Sequence, residues 1–87
     1  MGASEWTFRE LDEARGLPKG SAFRAFKRVH EELCEGRDFR VLQANQDAGE
    51  IGDLRREGRI YAGSVNVVVL SPGATERVAH ALDHDHA

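Results

Sequence analysis

Apolar positions recur at helical spacing in the first third of the chain, then at strand spacing, then at helical spacing again. In "EWTFRELDEARGL", Thr7 precedes a helical stretch and Glu10 follows three residues later, the pair that forms a capping box. Trp6 and Leu11 take the hydrophobic-staple positions. Gly16 suits the left-handed position after a helix, with Leu17 folding back onto Leu11. A helix is predicted from Phe8 to Arg15. "LPKG" is a tight connector, and Ser21 is the predicted N-cap of a second helix running from Ala22 to about Cys34. Its apolar residues, Ala22, Phe23, Phe26, Val29 and Leu33, fall on one arc at about 100° per residue. Arg24, Lys27, Arg28, Glu31 and Glu32 fall opposite. Two helices joined by a short turn containing Gly make a helix-turn-helix pattern.

Gly36 ends that helix, and Phe39, Val41 and Leu42 read as a strand. "NQDAGEIGDLRREGR" predicts a short, weak helix leading into a loop. Asp47 and Glu50 offer a cap, Ile51 and Leu54 a stripe, and Gly58 a stop. Gly49 and Gly52 each cost such a helix about 1 kcal/mol relative to Ala. "IYAGSVNVVVL" is a strand rich in β-branched residues. Val65, Val67 and Val69 point one way and Asn66, Val68 and Leu70 the other, so it should be covered on both sides and pair antiparallel with Phe39 to Leu42. Ser71 caps a last helix with Pro72 at its first position, and Ala74, Val78 and Leu82 form its inward stripe. "DHDHA" reads as a polar, frayed end.

The predicted fold class is therefore α+β: a helix-turn-helix, a two-stranded antiparallel sheet and a C-terminal helix. This is the element order of a small winged-helix-like domain. With 87 residues there is room for one compact domain, assigned to residues 1–82, with a flexible tail at 83–87. The excursion from Ala44 to Ser64 would enlarge the tip of the wing.

Composition narrows the class without choosing a function. Hydrophobic residues make up 40% and charged residues 31%, an ordinary soluble globular balance. The net charge of −3 opposes a coat of positive charge but leaves room for a local basic face. Cys34 is the single cysteine, so no intramolecular disulfide forms, and a reducing, cytoplasmic setting is expected. No apolar run resembles a signal peptide, and the longest, "VNVVVL", is far short of the roughly 20 residues a membrane helix needs. No membrane partner, cofactor or metal is expected. No nucleophile motif, P-loop or dinucleotide fingerprint points to catalysis.

"FRAFKRVHEELCEGRDFRVL", followed by "GRIYAGSVNVVVLSPGATERVAHAL", resembles the small phage and mobile-element DNA-binding domains of the antirepressor or KilA-N kind. That likeness spans roughly Phe23 to Leu82. "GLPKG" resembles the front half of excisionase-like and other winged-helix regulators. Both resemblances imply binding to double-stranded DNA in the control of transcription or recombination, though by different surfaces.

The residues themselves offer a basic face: Lys19 in the turn, then Ser21, Arg24, Lys27 and Arg28 on the second helix. DNA binding needs cations that neutralise phosphates and a helix that fits the major groove, with base contacts near its N-terminal end. In a helix reaching Cys34, the cations sit near the start and the acids near the end. The macrodipole prefers the opposite order by about 0.3–1 kcal/mol per charge, and local rules are often broken at functional sites. The alternative is a solvated face held by Lys27–Glu31 and Arg28–Glu32 pairs worth about 0.2–0.5 kcal/mol each. Arg55, Arg56 and Arg59 in "RREGR" would reach backbone or minor groove from a wing, or simply end a helix. His30 and Cys34, four apart, form half a zinc site that lacks two ligands. His80, His84 and His86 around Asp85 would hold transition metals only adventitiously. A rival partner is another protein, met through an acidic surface of Glu31, Glu32, Glu35 and Asp38. A homodimer through the strand Val65 to Leu70 is a further expectation.

Overall fold

The computed structural model describes residues 5–63 and 66–83. Within them the capping box forms as its residues dictate. Thr7 Oγ1 accepts the Glu10 N–H at 3.2 Å, and Glu10 Oε1 accepts the Thr7 N–H at 2.9 Å. Helix α1, Phe8–Ala14, starts there. It closes with Gly16 in the left-handed region at φ 63, a conformation that costs glycine least. The Leu17 and Gly16 N–H groups then return to the Asp12 and Glu13 carbonyls, the paired bonds of a Schellman end.

Strand β1, Trp6–Thr7, precedes α1 and was not foreseen. Strand β2 is Phe39–Leu42, and strand β3 is Val67–Leu70. The sheet is three-stranded and antiparallel in the order β1-β3-β2, where two strands were expected. The expected pairing of β2 with β3 is present, in the register Phe39↔Leu70 to Leu42↔Val67. β1 fills the other side of β3 through Trp6↔Leu70 and Thr7↔Val69. Two residues carry too little pattern to read as a strand. Pairing with an already formed β3 is what makes them one.

The period-2 alternation of β3 divides the core in two. Leu70 joins Leu11, Ala22, Ala25, Phe26, Phe39, Ala74, Val78 and Leu82, and Val68 packs on that cluster. Val67 and Val69 face the other way, onto Leu42, Ile51, Leu54 and Ile60. A strand apolar on both faces must be covered on both, and it is. Helix α2, Ser21–Val29, and helix α4, Pro72–Asp83, lie with α1 on one face, and helix α3, Ala48–Arg56, on the other. The described residues thus form a small α+β domain of four helices and a three-stranded antiparallel sheet, an arrangement consistent with the winged-helix-like class. Its radius of gyration, 12.4 Å, is near the value of about 12 Å for a compact chain of this length.

Several local expectations change. The excursion from Ala44 does not enlarge a free wing tip. Its helix α3 spends Ile51 and Leu54 on the core, because Val67 and Val69 would otherwise face water. Asp47 stands at the N-cap of α3 without capping it; its carboxylate accepts the Gln43 N–H at 3.0 Å instead. The strand in "IYAGSVNVVVL" is shorter than predicted, with Ile60 buried and Tyr61 outside it. Ser71 does cap α4, accepting the Ala74 N–H at 3.2 Å. Asp83, placed in the tail, is the last residue of α4 and pairs with Arg15. Ser64, Val65, His84, Asp85 and His86 lie outside the described residues.

Ser21 is not the cap of α2. Gly20 occupies the N-cap position at φ 93, and the Ser21 hydroxyl donates to the Pro18 carbonyl at 2.8 Å. The capping acceptor comes from α1. Asp12, 1% exposed, takes the Gly20 N–H at 3.1 Å and the Ala22 N–H at 2.8 Å. Its third donor is the Tyr61 hydroxyl at 2.5 Å.

Asp12→Ala leaves these donors without a charged acceptor and should lower unfolding free energy by about 3 kcal/mol. Tyr61→Phe removes one bond and should cost about 1.5–2 kcal/mol. Ser21→Ala should stay within about 0.5 kcal/mol. Urea denaturation of the three variants checks the order, and a larger loss at Ser21 than at Asp12 would return the capping role to the serine.

Candidate nucleic-acid interface

Helix α2 ends three residues after the Ala25–Phe26 pair that anchors it, and this alters its electrostatics. His30–Glu32 form a separate 3-10 turn. Lys27 and Arg28 therefore stand in the last turn of α2, where cations suit the macrodipole. The supposed clash between charge order and dipole came from drawing the helix through to Cys34. At the other end, Asp12 supplies the anion that the first turn of α2 lacks in its own sequence. Arg24 alone among the helix cations remains in the N-terminal half.

The buried arc of α2 is Ala22, Ala25 and Phe26. Phe23, Arg24, Lys27 and Arg28 are exposed, and Lys19 is exposed in the turn before them. The Arg24 guanidinium leans back over the turn, so that a Cβ at Gly20 would stand 3.7 Å from its Nη1. Lys27 Nζ lies 5.4 Å from the centroid of the Phe23 ring, and Lys19 Nζ lies 5.1 Å from that of Tyr61. The expected Lys27–Glu31 helix pair does not form, because the helix has ended before Glu31. Glu32 pairs with Arg77 of α4.

Most other arginines meet a carboxylate. Arg9 pairs with Glu13 at 2.8 Å, Arg37 with Asp38 at 3.0 Å, and Arg40 with both Glu5 and Glu50 at 3.0 Å. Arg15 pairs with Asp83, Arg56 with Asp53, and Arg77 with Glu32. Arg59, one of the three "RREGR" cations, is held at 2.8 Å by Glu10 and also donates to the Glu5 carbonyl at 2.8 Å. Lys19, Arg24 and Lys27 form no ion pair with a carboxylate of the described residues. The candidate residues thus separate. Lys19, Ser21, Arg24, Lys27 and Arg28 share the turn and face of α2. Arg55 and Arg56 belong to α3, across the sheet, and Arg59 is folded onto α1.

A cleft of about 410 Å³ borders the basic face, lined by Phe8, Arg9, Lys19, Phe23, Tyr61 and Val68 among others. It lies where the segment ending β2–β3 meets the start of α1. Thr7 Oγ1 donates to the Arg59 carbonyl, Arg9 Nη1 donates to the Ile60 carbonyl at 2.9 Å, and Tyr61 closes on Asp12. These contacts fix Tyr61 beside the N-terminus of α2. The sequence offered no sign of them, since a lone Asp in mid-helix and a Tyr 49 residues away share no pattern.

The acidic surface is compensated at two of its four residues. Glu32 is paired with Arg77, and the Arg37 guanidinium, then the Cys34 N–H, hold the Asp38 carboxyl below its ordinary range. His30 is off the helix and packs at 5.5 Å and 5.7 Å against Phe26 and Phe39, while Cys34 is exposed. Among the described residues no group of three or more potential ligands could hold a metal ion, and no helix is long and apolar enough to cross a membrane. No protein-family model, curated protein or solved structure matches the chain.

Burial, and then the hydrogen bond to Asp12, push the Tyr61 phenol up to about 12. A phenol that holds its proton more tightly when folded contributes stability that is complete below its ordinary value of about 10 and is lost as pH rises through 12. Tyr61 is the single tyrosine, so tyrosinate absorbance reports it alone. The folded protein should titrate near 12, with unfolding free energy falling from about pH 10 upward in wild type and flat there in Tyr61→Phe. A midpoint at the ordinary value in a protein still folded by circular dichroism would contradict the Tyr61–Asp12 bond.

Proposed function

We propose that this chain binds double-stranded DNA through the outer face of α2, and that it does so to regulate transcription or recombination. The observation that supports this reading is the charge distribution. A protein with net charge −3 pairs most of its arginines with carboxylates, yet leaves Lys19, Arg24 and Lys27 together without one among the described residues. Such cations release condensed counterions when they meet phosphates, which is the main source of duplex affinity. Lys19 and Arg24 flank the first turn of a helix whose entry is held by Asp12, Lys27 follows one turn on, and a helix is the element that fits the major groove. Arg28 and Ser21 border the same face. The resemblance of "FRAFKRVHEEL" and "GLPKG" to DNA-binding domains points the same way. Arg55 and Arg56 stand across the sheet and Arg59 is engaged by Glu10, so the second basic segment is not part of this surface.

Fluorescence anisotropy with a random-sequence duplex tests the reading. Three phosphate contacts predict an affinity that falls by about forty-fold between about 50 and 200 mM salt, with a log–log slope reduced by about 0.9 for each cation removed in Arg24→Ala and Lys27→Ala. Folding of each variant is checked by circular dichroism. Absence of duplex binding at low salt, or an unchanged slope in the double variant, would remove α2 from any DNA interface and favour a protein partner.

A further inference from the structure

Phe23 is the one exposed large hydrophobic side chain among the described residues, 46% exposed in the first turn of α2. An exposed phenylalanine is unremarkable when alone on a polar surface. This one is not placed at random. Its ring is held edge-on against Phe8 at 5.8 Å and covered on another side by the Lys27 ammonium at 5.4 Å. Fixing the ring in the free protein lowers the ordering cost of any contact its open face makes. That open face lies at the edge of the basic surface, beside Lys27 and near Lys19, at the N-terminal end from which a groove-bound helix touches base edges.

Given the proposed duplex binding, on which this inference rests, we infer that Phe23 reads thymine. The major groove presents one apolar group on its bases, the thymine C5-methyl, and a phenylalanine ring is among the side chains that contact it. Cations on either side of the ring would sit on phosphates while the ring faces the groove floor. An apolar protein surface is a poorer fit, because docking there would strip water from Lys19, Arg24 and Lys27 without offering counter-charges. Phe23 thus becomes the specificity-determining residue of the surface, and Lys19, Arg24 and Lys27 supply affinity that is indifferent to sequence.

The test compares an alternating dA·dT duplex with the same duplex carrying deoxyuridine for thymine, which differs by the methyl groups alone. Wild type should bind the thymine duplex about fourfold more tightly for each methyl it buries. Phe23→Ala should bind both duplexes alike while keeping its salt slope, and Phe23→Leu, which keeps apolar surface there, should retain part of the preference. Equal binding of the two duplexes by wild type, or undiminished preference in Phe23→Ala, would overturn the role of Phe23 and leave duplex binding standing. Failure to bind either duplex would overturn the DNA reading itself. Sedimentation equilibrium covers the remaining occupant: a wild-type dimer that Phe23→Ala dissolves would assign the ring to a contact between copies instead.

Discussion

A buried carboxylate organises this small domain. Moving an ionised side chain out of water costs several kcal/mol unless its charge is met by well-placed donors. Asp12 has such donors, in the Gly20 and Ala22 N–H groups and the Tyr61 hydroxyl. Two of them open α2, so the carboxylate also meets the positive end of that helix. Because Asp12 belongs to α1, one side chain sets where α2 begins relative to α1 and where the end of the β2–β3 connection closes over both. Thr7, Arg9 and Glu10 bind the same connection to the start of α1. Among the described residues no buried side-chain nitrogen or oxygen lacks a partner, so the polar seam is fully satisfied, the condition under which such a network favours one arrangement over others.

That seam explains the surface beside it. Once Asp12 holds the turn and Tyr61 closes next to it, Lys19 is drawn over the Tyr61 ring and Arg24 over Gly20. Carboxylates from α1 and the 3-10 turn are committed elsewhere: Glu10 to Arg59, Glu13 to Arg9, Glu32 to Arg77. The proposed DNA surface is therefore a consequence of where the acids went as much as of where the basic residues lie. Individual ion pairs at exposed positions contribute little to stability. Their combined effect on the local field at α2 is the larger consequence.

Much of the fold was legible from local chemistry. The Thr7–Glu10 box, the Gly16 stop, the Ser71–Pro72 start and the two-sided alternation of β3 are each decided by residues within a few positions of one another. The failures have a common origin. Ser21 looks like a cap because serine usually is one, but a better acceptor arrives from another helix. The second helix looks continuous to Cys34 because Val29 and Leu33 keep the period. The chain instead turns at His30, whose ring packs against both Phe26 and Phe39. "RREGR" looks like a wing because it lies in the excursion between two paired strands, yet α3 is held to the sheet by the apolar face that β3 would otherwise expose. Of the candidate site, the basic residues were visible as a group, whereas their separation into a shared face, a distant helix and a paired arginine was not.

By itself the sequence determined most of the helical and extended segments, the starts of several, and that β3 needs cover on both faces, because caps, glycine stops and periodicity are local properties of the chain. Tertiary structure alone decided that Trp6–Thr7 completes the sheet, that Asp12 caps α2, and that Arg59 is spent on Glu10 while Arg24 and Lys27 are left facing outward. Those outcomes depend on groups brought together across up to 64 residues of sequence, and no short-range pattern encodes which donor a carboxylate will meet once the core has closed.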